Sequence, residues 1–343
     1  MTEFLTEYGL FLAKTLTFLL AVLAVVVATV VVSSRTRERP RGDLHVRSLN
    51  NRYDAMSWTL KSAILSPEEQ KSEHKALKTE RKAEKHRRKQ GQVDQRARVY
   101  VVDFHGDLRA SAVKDLRETV TAILSVARSA DEVFVRLESP GGQVHGYGLA
   151  ASQLARIREH SIPLTVSVDK VAASGGYLMA CVADRIVAAP FAIVGSIGVL
   201  AQIPNFNRLL KKHSIDFEQV TAGEHKRTLS VFGENTEKGR AKLREEIEDV
   251  HALFKEFVKE HRPSVDIEQL ATGEHWHGQR ALDLKLVDEL RTSDDYLVQR
   301  SDEADLYEVS YEARKSLADR LASLMEATVG QFVGRGSSSL TGL

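Results

Sequence analysis

The sequence predicts an α/β protein with a mostly parallel sheet, and three observations support this. From Arg98 onward, short β-rich runs alternate with longer amphipathic ones. Two of the strands end in glycine turns, Ser139-Pro140-Gly141-Gly142 and Ser174-Gly175-Gly176. A long apolar run and a basic helical stretch precede this region. Four parts are therefore expected: an N-terminal transmembrane anchor (1–34), a helical, basic juxtamembrane region (35–96), an α/β domain (97–311), and a C-terminal helix with a disordered tail (312–343).

The first element is the run Gly9–Val32, interrupted only by Lys14 and a few threonines. At about 1.5 Å per residue it is long enough for a hydrocarbon core of roughly 30 Å. Glu3 and Glu7 precede it and Arg35, Arg37, Arg39 and Arg41 follow. A cleaved signal peptide has basic residues first and a shorter apolar core, so a retained anchor is expected. The arginine side favours the cytoplasm for the rest of the chain, although Lys14 can snorkel to the other interface and weakens that bias.

Beyond the anchor, Leu49, Tyr53, Met56, Leu60 and Ile64 recur every three or four residues and predict an amphipathic helix. Ser66-Pro67-Glu68-Glu69 is a capping box with proline at the first helical position, so a second helix starts there. Its continuation from Lys71 to Lys89 is basic with almost no apolar face, which fits a solvated spacer or contact with anionic lipid headgroups. No aromatic residues interleave these charges, which argues against nucleic acid.

The α/β region follows. Val99–Phe104, Glu132–Leu137, Leu164–Val168 and Asp184–Ala189 have strand composition; Ala112–Arg128 and His145–Glu159 have helical periodicity. The 343 residues are 43% hydrophobic with a net charge of +1, enough for a large core. The single Cys181 excludes an intramolecular disulfide, and its apolar flanks mark a small buried residue. Farther on, Leu243, Ile247, Val250, Phe254 and Phe257 form one stripe of a helix from Thr236 to His261, suited to core packing or to a subunit contact.

In parallel α/β sheets, sites collect at the carboxyl ends of strands. Ser174 stands at such an end among residues too small to hide it, where N–H groups of a following helix point at an anion. Taken alone, it serves as simply as a helix N-cap. Pro140 fixes the other turn, and its glycines let backbone approach a ligand and offer N–H groups. Together the two turns would form an oxyanion hole, with the N–H of Gly175 as one donor and Gly142 in the other turn.

Ser139-Pro140-Gly141-Gly142, Ala173-Ser174-Gly175-Gly176-Tyr177 and Val194-Gly195-Ser196-Ile197-Gly198-Val199, in that order and spacing, resemble the signal peptide peptidase A family, peptidase family S49. The resemblance is strong from Arg98 to Leu290. It implies a ClpP/crotonase-like fold and a serine endopeptidase with a serine–lysine dyad, acting on peptides and unfolded or membrane-released polypeptides without a cofactor. It maps the nucleophile onto Ser174 and the general base onto Lys226, in Gly223-Glu224-His225-Lys226-Arg227. A lysine serves as base only in its uncharged form, which burial among apolar groups favours. The family also implies a single-pass protein of the bacterial inner membrane and a ring-like homo-oligomer, in which the lysine reaches a neighbouring subunit's serine. One departure from the family is Val231-Phe232, where Pro-Phe is frequent; Phe232 keeps the apolar anchor.

Rival readings have particular residues behind them. His105 and His145 are conceivable bases for a serine–histidine hydrolase, and Ser196 is an alternative nucleophile that turn chemistry explains adequately. A catalytically silent membrane scaffold of the same fold is opposed by an intact Ser174 and Lys226. An acyl-CoA hydratase of the crotonase type shares glycine-turn oxyanion holes but fits the serine turn and the anchor poorly. His275 and His277 alternate on one strand face without further ligands nearby, so no metal is expected.

Overall fold

The computed structural model describes residues 6–12, 14–18, 42–89, 96–223 and 225–312. Among the described residues ten strands follow one another: β1 (Asp43–Ser48), β2 (Arg98–His105), β3 (Glu132–Glu138), β4 (Leu164–Val168), β5 (Val171–Ala173), β6 (Arg185–Ala188), β7 (Ile193–Gly195), β8 (His275–His277), β9 (Glu289–Leu290) and β10 (Asp305–Glu312). The helices among them are α1 (Leu49–Ile64), α2 (Pro67–Lys89), α3 (Val113–Leu124), α4 (Val144–Glu159), α5 (Gly175–Ala180), α6 (Asn207–Lys212), α7 (Glu237–His261), α8 (Ile267–Leu270), α9 (Gly278–Asp283) and α10 (Ser293–Glu303).

A seven-stranded sheet has the order β1-β10-β2-β3-β4-β6-β9, and a three-stranded one has the order β5-β7-β8. From β10 to β9 every neighbouring pair of the large sheet is parallel, with Val133 opposite Leu164 and Val166 opposite Ile186. The fold is mixed α/β, as the repeated β-α units predict.

Parallel strands need cover on both faces, and alternation along β2 shows how this sequence provides it. Tyr100, Val102 and Phe104 join Leu116, Val120, Leu154 and Ile157 in one buried cluster. Val99 and Val101 join Phe134, Tyr296, Leu297 and Leu49 in the other. Two buried charged groups find partners between the layers. The Glu132 carboxylate accepts hydrogen bonds from Thr165, Tyr296 and Arg300 at 2.8, 2.6 and 3.0 Å. Arg262, 7% exposed, donates to Asp288 at 2.7 Å and ties the end of α7 to the turn before β9.

Leu44–Tyr311 forms one compact unit, which takes in much of the region expected to be helical and juxtamembrane. Asn50 is the physical link: its amide donates to Ser301 and Ala304 carbonyls at 3.0 Å and accepts from the Leu306 N–H at 2.7 Å. Of the expected α1 stripe, Leu49 is buried, whereas Met56, Leu60 and Ile64 are exposed. The capping box is formed, with the Ser66 N–H donating to Glu69 at 2.8 Å and the Glu69 N–H to Ser66 Oγ at 3.4 Å. On α7, Phe254, Phe257 and buried Val258 pack on the core, so that end of its stripe serves this subunit.

Near the N-terminus, residues 6–12 and 14–18 are helical. No helix among the described residues is long and apolar enough to cross a membrane. Most of the run expected to be the anchor lies outside the described residues, as do the expected C-terminal helix beyond Glu312 and the serine-rich tail; Glu312 itself ends β10.

Candidate active site

Ser174 stands between the end of β5 and the start of α5 with φ 52° and ψ −118° and makes no side-chain capping bond. The same chain shows what a capping hydroxyl looks like. Ser48 and Thr236 have extended backbone, at φ −77° and −88°, and each accepts an N–H from the first turn of its helix. Ser174 instead occupies a region that costs an L-residue about 1–3 kcal/mol and persists only where its surroundings over-determine it. They do so here: its N–H donates to the Gly195 carbonyl at 2.8 Å and its carbonyl accepts from Leu178 at 3.0 Å. The helix cap is thereby ruled out, and α5 begins at Gly175.

The Pro-Gly-Gly turn is stitched to this one. The Ser139 N–H donates to Val171 at 2.8 Å, and the Ala173 N–H to Ser139 at 3.0 Å. Gly141 has φ +90°, and a Cβ there would lie 2.7 Å from the Ala173 carbonyl and 2.8 Å from Ser174 Cβ and from the Gly175 nitrogen. Only glycine permits that approach. A Cβ on Gly142 would lie 2.3 Å from the Leu108 carbonyl. The Gly141 N–H is taken by Ser139 Oγ at 3.1 Å. Those of Gly142 and Gly175 donate to no group among the described residues. Two uncommitted N–H groups therefore flank a half-exposed serine hydroxyl, an arrangement able to stabilise an oxyanion.

Three contributors were missed from sequence. Fully buried Tyr147 of α4 donates its hydroxyl to the Asp107 carbonyl at 2.8 Å and meets fully buried Ser139 Oγ at 2.6 Å. Burial holds the Tyr147 hydroxyl above its ordinary pKa, so it remains a donor. The Ser111 N–H and hydroxyl bind the Asp107 carboxylate at 2.7 and 2.8 Å and lower its pKa, which pins the loop carrying that carbonyl.

None of the remaining candidates has a side-chain hydrogen bond to Ser174 among the described residues. Lys226 is exposed on the loop before α7, its N–H on Gly223 at 3.2 Å, and among the described residues no side-chain hydrogen bond or ion pair involves it. Phe232, farther along that loop, sits with Phe206 and Phe217 at ring-centroid distances of 6.2 and 5.8 Å. His105 faces Glu138 at 3.8 Å, and exposed His145 makes no bond to Ser174 among the described residues. Ser196, with φ 54°, donates its N–H to Glu274 at 2.6 Å. On β8, His277 Nδ1 lies 3.2 Å from the Phe191 carbonyl. Burial pushes the Cys181 thiol far up, which leaves it protonated and unreactive.

The family model "Peptidase family S49 N-terminal" matches residues 3–154, and "Peptidase family S49" matches residues 156–307. The chain is similar to the "Probable protease SohB" of Haemophilus influenzae, 49% identical over 346 residues and 98% of each chain. To the protein of the same description from Buchnera aphidicola subsp. Acyrthosiphon pisum it is 58% identical over 226 residues, covering 66% of this chain and 67% of the relative. A further relative so described, from Buchnera aphidicola subsp. Schlechtendalia chinensis, is 46% identical over 305 residues, covering 87% of this chain and 100% of the relative. With matches that run nearly end to end, the chain belongs to peptidase family S49.

Proposed function

We propose that the chain is a serine endopeptidase, tethered to the bacterial inner membrane by its N-terminal run, that cleaves peptides and unfolded or membrane-released polypeptides on a ClpP/crotonase-like scaffold. The observation that carries this reading is the backbone of Ser174, held at φ 52° beside two uncommitted N–H groups rather than turned into a cap. Ser174 Oγ attacks the scissile carbonyl while Lys226 Nζ takes its proton, and the N–H groups of Gly142 and Gly175 bind the oxyanion. Collapse breaks the C–N bond, the leaving amine takes the proton from Lys226, and an acyl-enzyme remains. Water then attacks the ester, its proton passes to Lys226, and Ser174 leaves with that proton restored.

Within one chain Lys226 is exposed and Ser174 has no bonded base. The segment carrying Lys226 also exposes Leu200, Leu209, Phe217 and Val220 at 77, 52, 42 and 98%. Both facts support a ring-like homo-oligomer in which Lys226 serves a neighbour's Ser174, since burying that segment against a second copy would give the amine the apolar surroundings a neutral base needs. The arginines after Val32 favour the cytoplasmic face for the peptidase domain.

A fluorophosphonate probe, mapped by mass spectrometry, tests the nucleophile. The expected result is an adduct on Ser174; an adduct on Ser196, or none, overturns the assignment.

A further inference from the structure

We infer that Tyr147 is a positioning residue that holds the two oxyanion donors in register, one side chain fixing both glycine turns; this rests on the reading of Ser174 as nucleophile. The hydroxyl end acts on the Pro-Gly-Gly turn. The Gly141 N–H donates to Ser139 Oγ at 3.1 Å, the Ser139 hydroxyl donates to Tyr147 Oη at 2.6 Å, and the Tyr147 hydroxyl donates to the Asp107 carbonyl at 2.8 Å. Each donor in this chain has one acceptor, so its direction is fixed, and Gly142 follows directly on its first member.

The ring end acts on the serine turn. A Cβ on Gly175 would lie 2.4 Å from Tyr147 Cγ, so the ring presses on the backbone that carries the second donor. Gly106 closes the arrangement: a Cβ there would lie 2.3 Å from Ser139 Oγ and 2.4 Å from Tyr147 Oη. A tyrosine that merely filled the core would need neither contact. Oxyanion donors act only when aimed at the position the oxygen will occupy, so a small rotation of either turn weakens catalysis without weakening substrate binding equally.

The test uses the full-length protein and compares wild type, Tyr147→Phe, Ser139→Ala and the double variant. The readouts are the rate of fluorophosphonate labelling at Ser174 and kcat and KM on a peptide, all corrected for folded fraction. The expected result is roughly a tenfold or greater loss in labelling rate and kcat for each single variant, with KM little changed. The double variant should be no worse than the weaker single one, because both substitutions cut one chain. Ser139→Ala leaves the ring untouched and carries the test if Tyr147→Phe folds poorly. Labelled Ser174 with unchanged rates in the single variants, or losses that multiply in the double one, overturns this inference alone. An unlabelled Ser174 in the wild-type protein overturns the nucleophile reading and this inference with it.

Discussion

The turn around Ser174 and the loop around Lys226 are built in opposite ways. Around Ser174, Ala173 is 8% exposed and Tyr177 fully buried, both backbone groups of the serine are bonded, and three glycines sit where a methyl group would collide. Around Lys226 the aromatic residues that anchor the loop, Phe206, Phe217 and Phe232, are themselves 44, 42 and 45% exposed. A strained φ needs surroundings that leave the residue no alternative. An exposed apolar loop gains such surroundings only when something covers it. The two halves of the proposed dyad therefore answer to different stabilities, one to folding and the other, in the proposed ring, to assembly.

Among substitutions that leave the proposed dyad itself in place, those in the first region should be the most damaging. Gly141→Ala adds a Cβ 2.8 Å from that of Ser174, at φ +90°, and should cost on the order of a hundredfold in kcat together with a lowered Tm, measured by peptide hydrolysis and thermal melting. Wild-type activity in this variant would mean that the close approach is not needed. Phe232→Ala sharpens the other side: activity should fall about tenfold and in parallel with the oligomer fraction in sedimentation, while the main unfolding transition moves by less than about 1 kcal/mol. Equal loss of stability in both variants would erase the distinction between the two regions.

The smallest effect is expected far from both. Burial, reinforced by Glu132, pushes the Tyr296 hydroxyl up to about 12 from 10.0. Above the lower value the unfolded chain loses this proton while the folded one keeps it, so the contribution of Tyr296 is fully present below pH 10 and is lost as pH rises through about 12. Urea melts across that window should show stability falling with pH, and Tyr296→Phe should flatten the slope without altering peptidase activity at neutral pH.

Much of this molecule could be read from its residues, for physical reasons that also explain the gaps. β2, β3 and β4 are apolar on both faces and declare themselves, whereas β1, Asp-Leu-His-Val-Arg-Ser, is an exposed edge strand with no inward face to betray it. β5 and β7 are three residues each, too short for periodicity, yet they aim the serine turn. The two glycine turns were legible as turns, but from the residues alone Ser174 served as simply as a helix N-cap. The proposed roles of Ser174, Gly142, Gly175 and Lys226 came from family resemblance, since nothing adjacent marks Lys226 as more than a solvated lysine. Tyr147 was illegible because it reads as one more residue on the buried face of α4, and its partners come from distant turns.

In the proposed ring, Ser174 is half of a site that Lys226 of another chain completes. Subunit mixing tests it directly. Ser174→Ala and Lys226→Ala are each expected to abolish peptide hydrolysis while leaving assembly intact. Dissociated, mixed in equal amounts and reassembled, they should regain about a quarter of wild-type activity, since one contact in four then joins an intact serine to a neighbour's intact lysine across a head-to-tail interface. A mixture that assembles yet stays inactive would contradict the account, as would a Lys226→Ala protein that retains its activity alone.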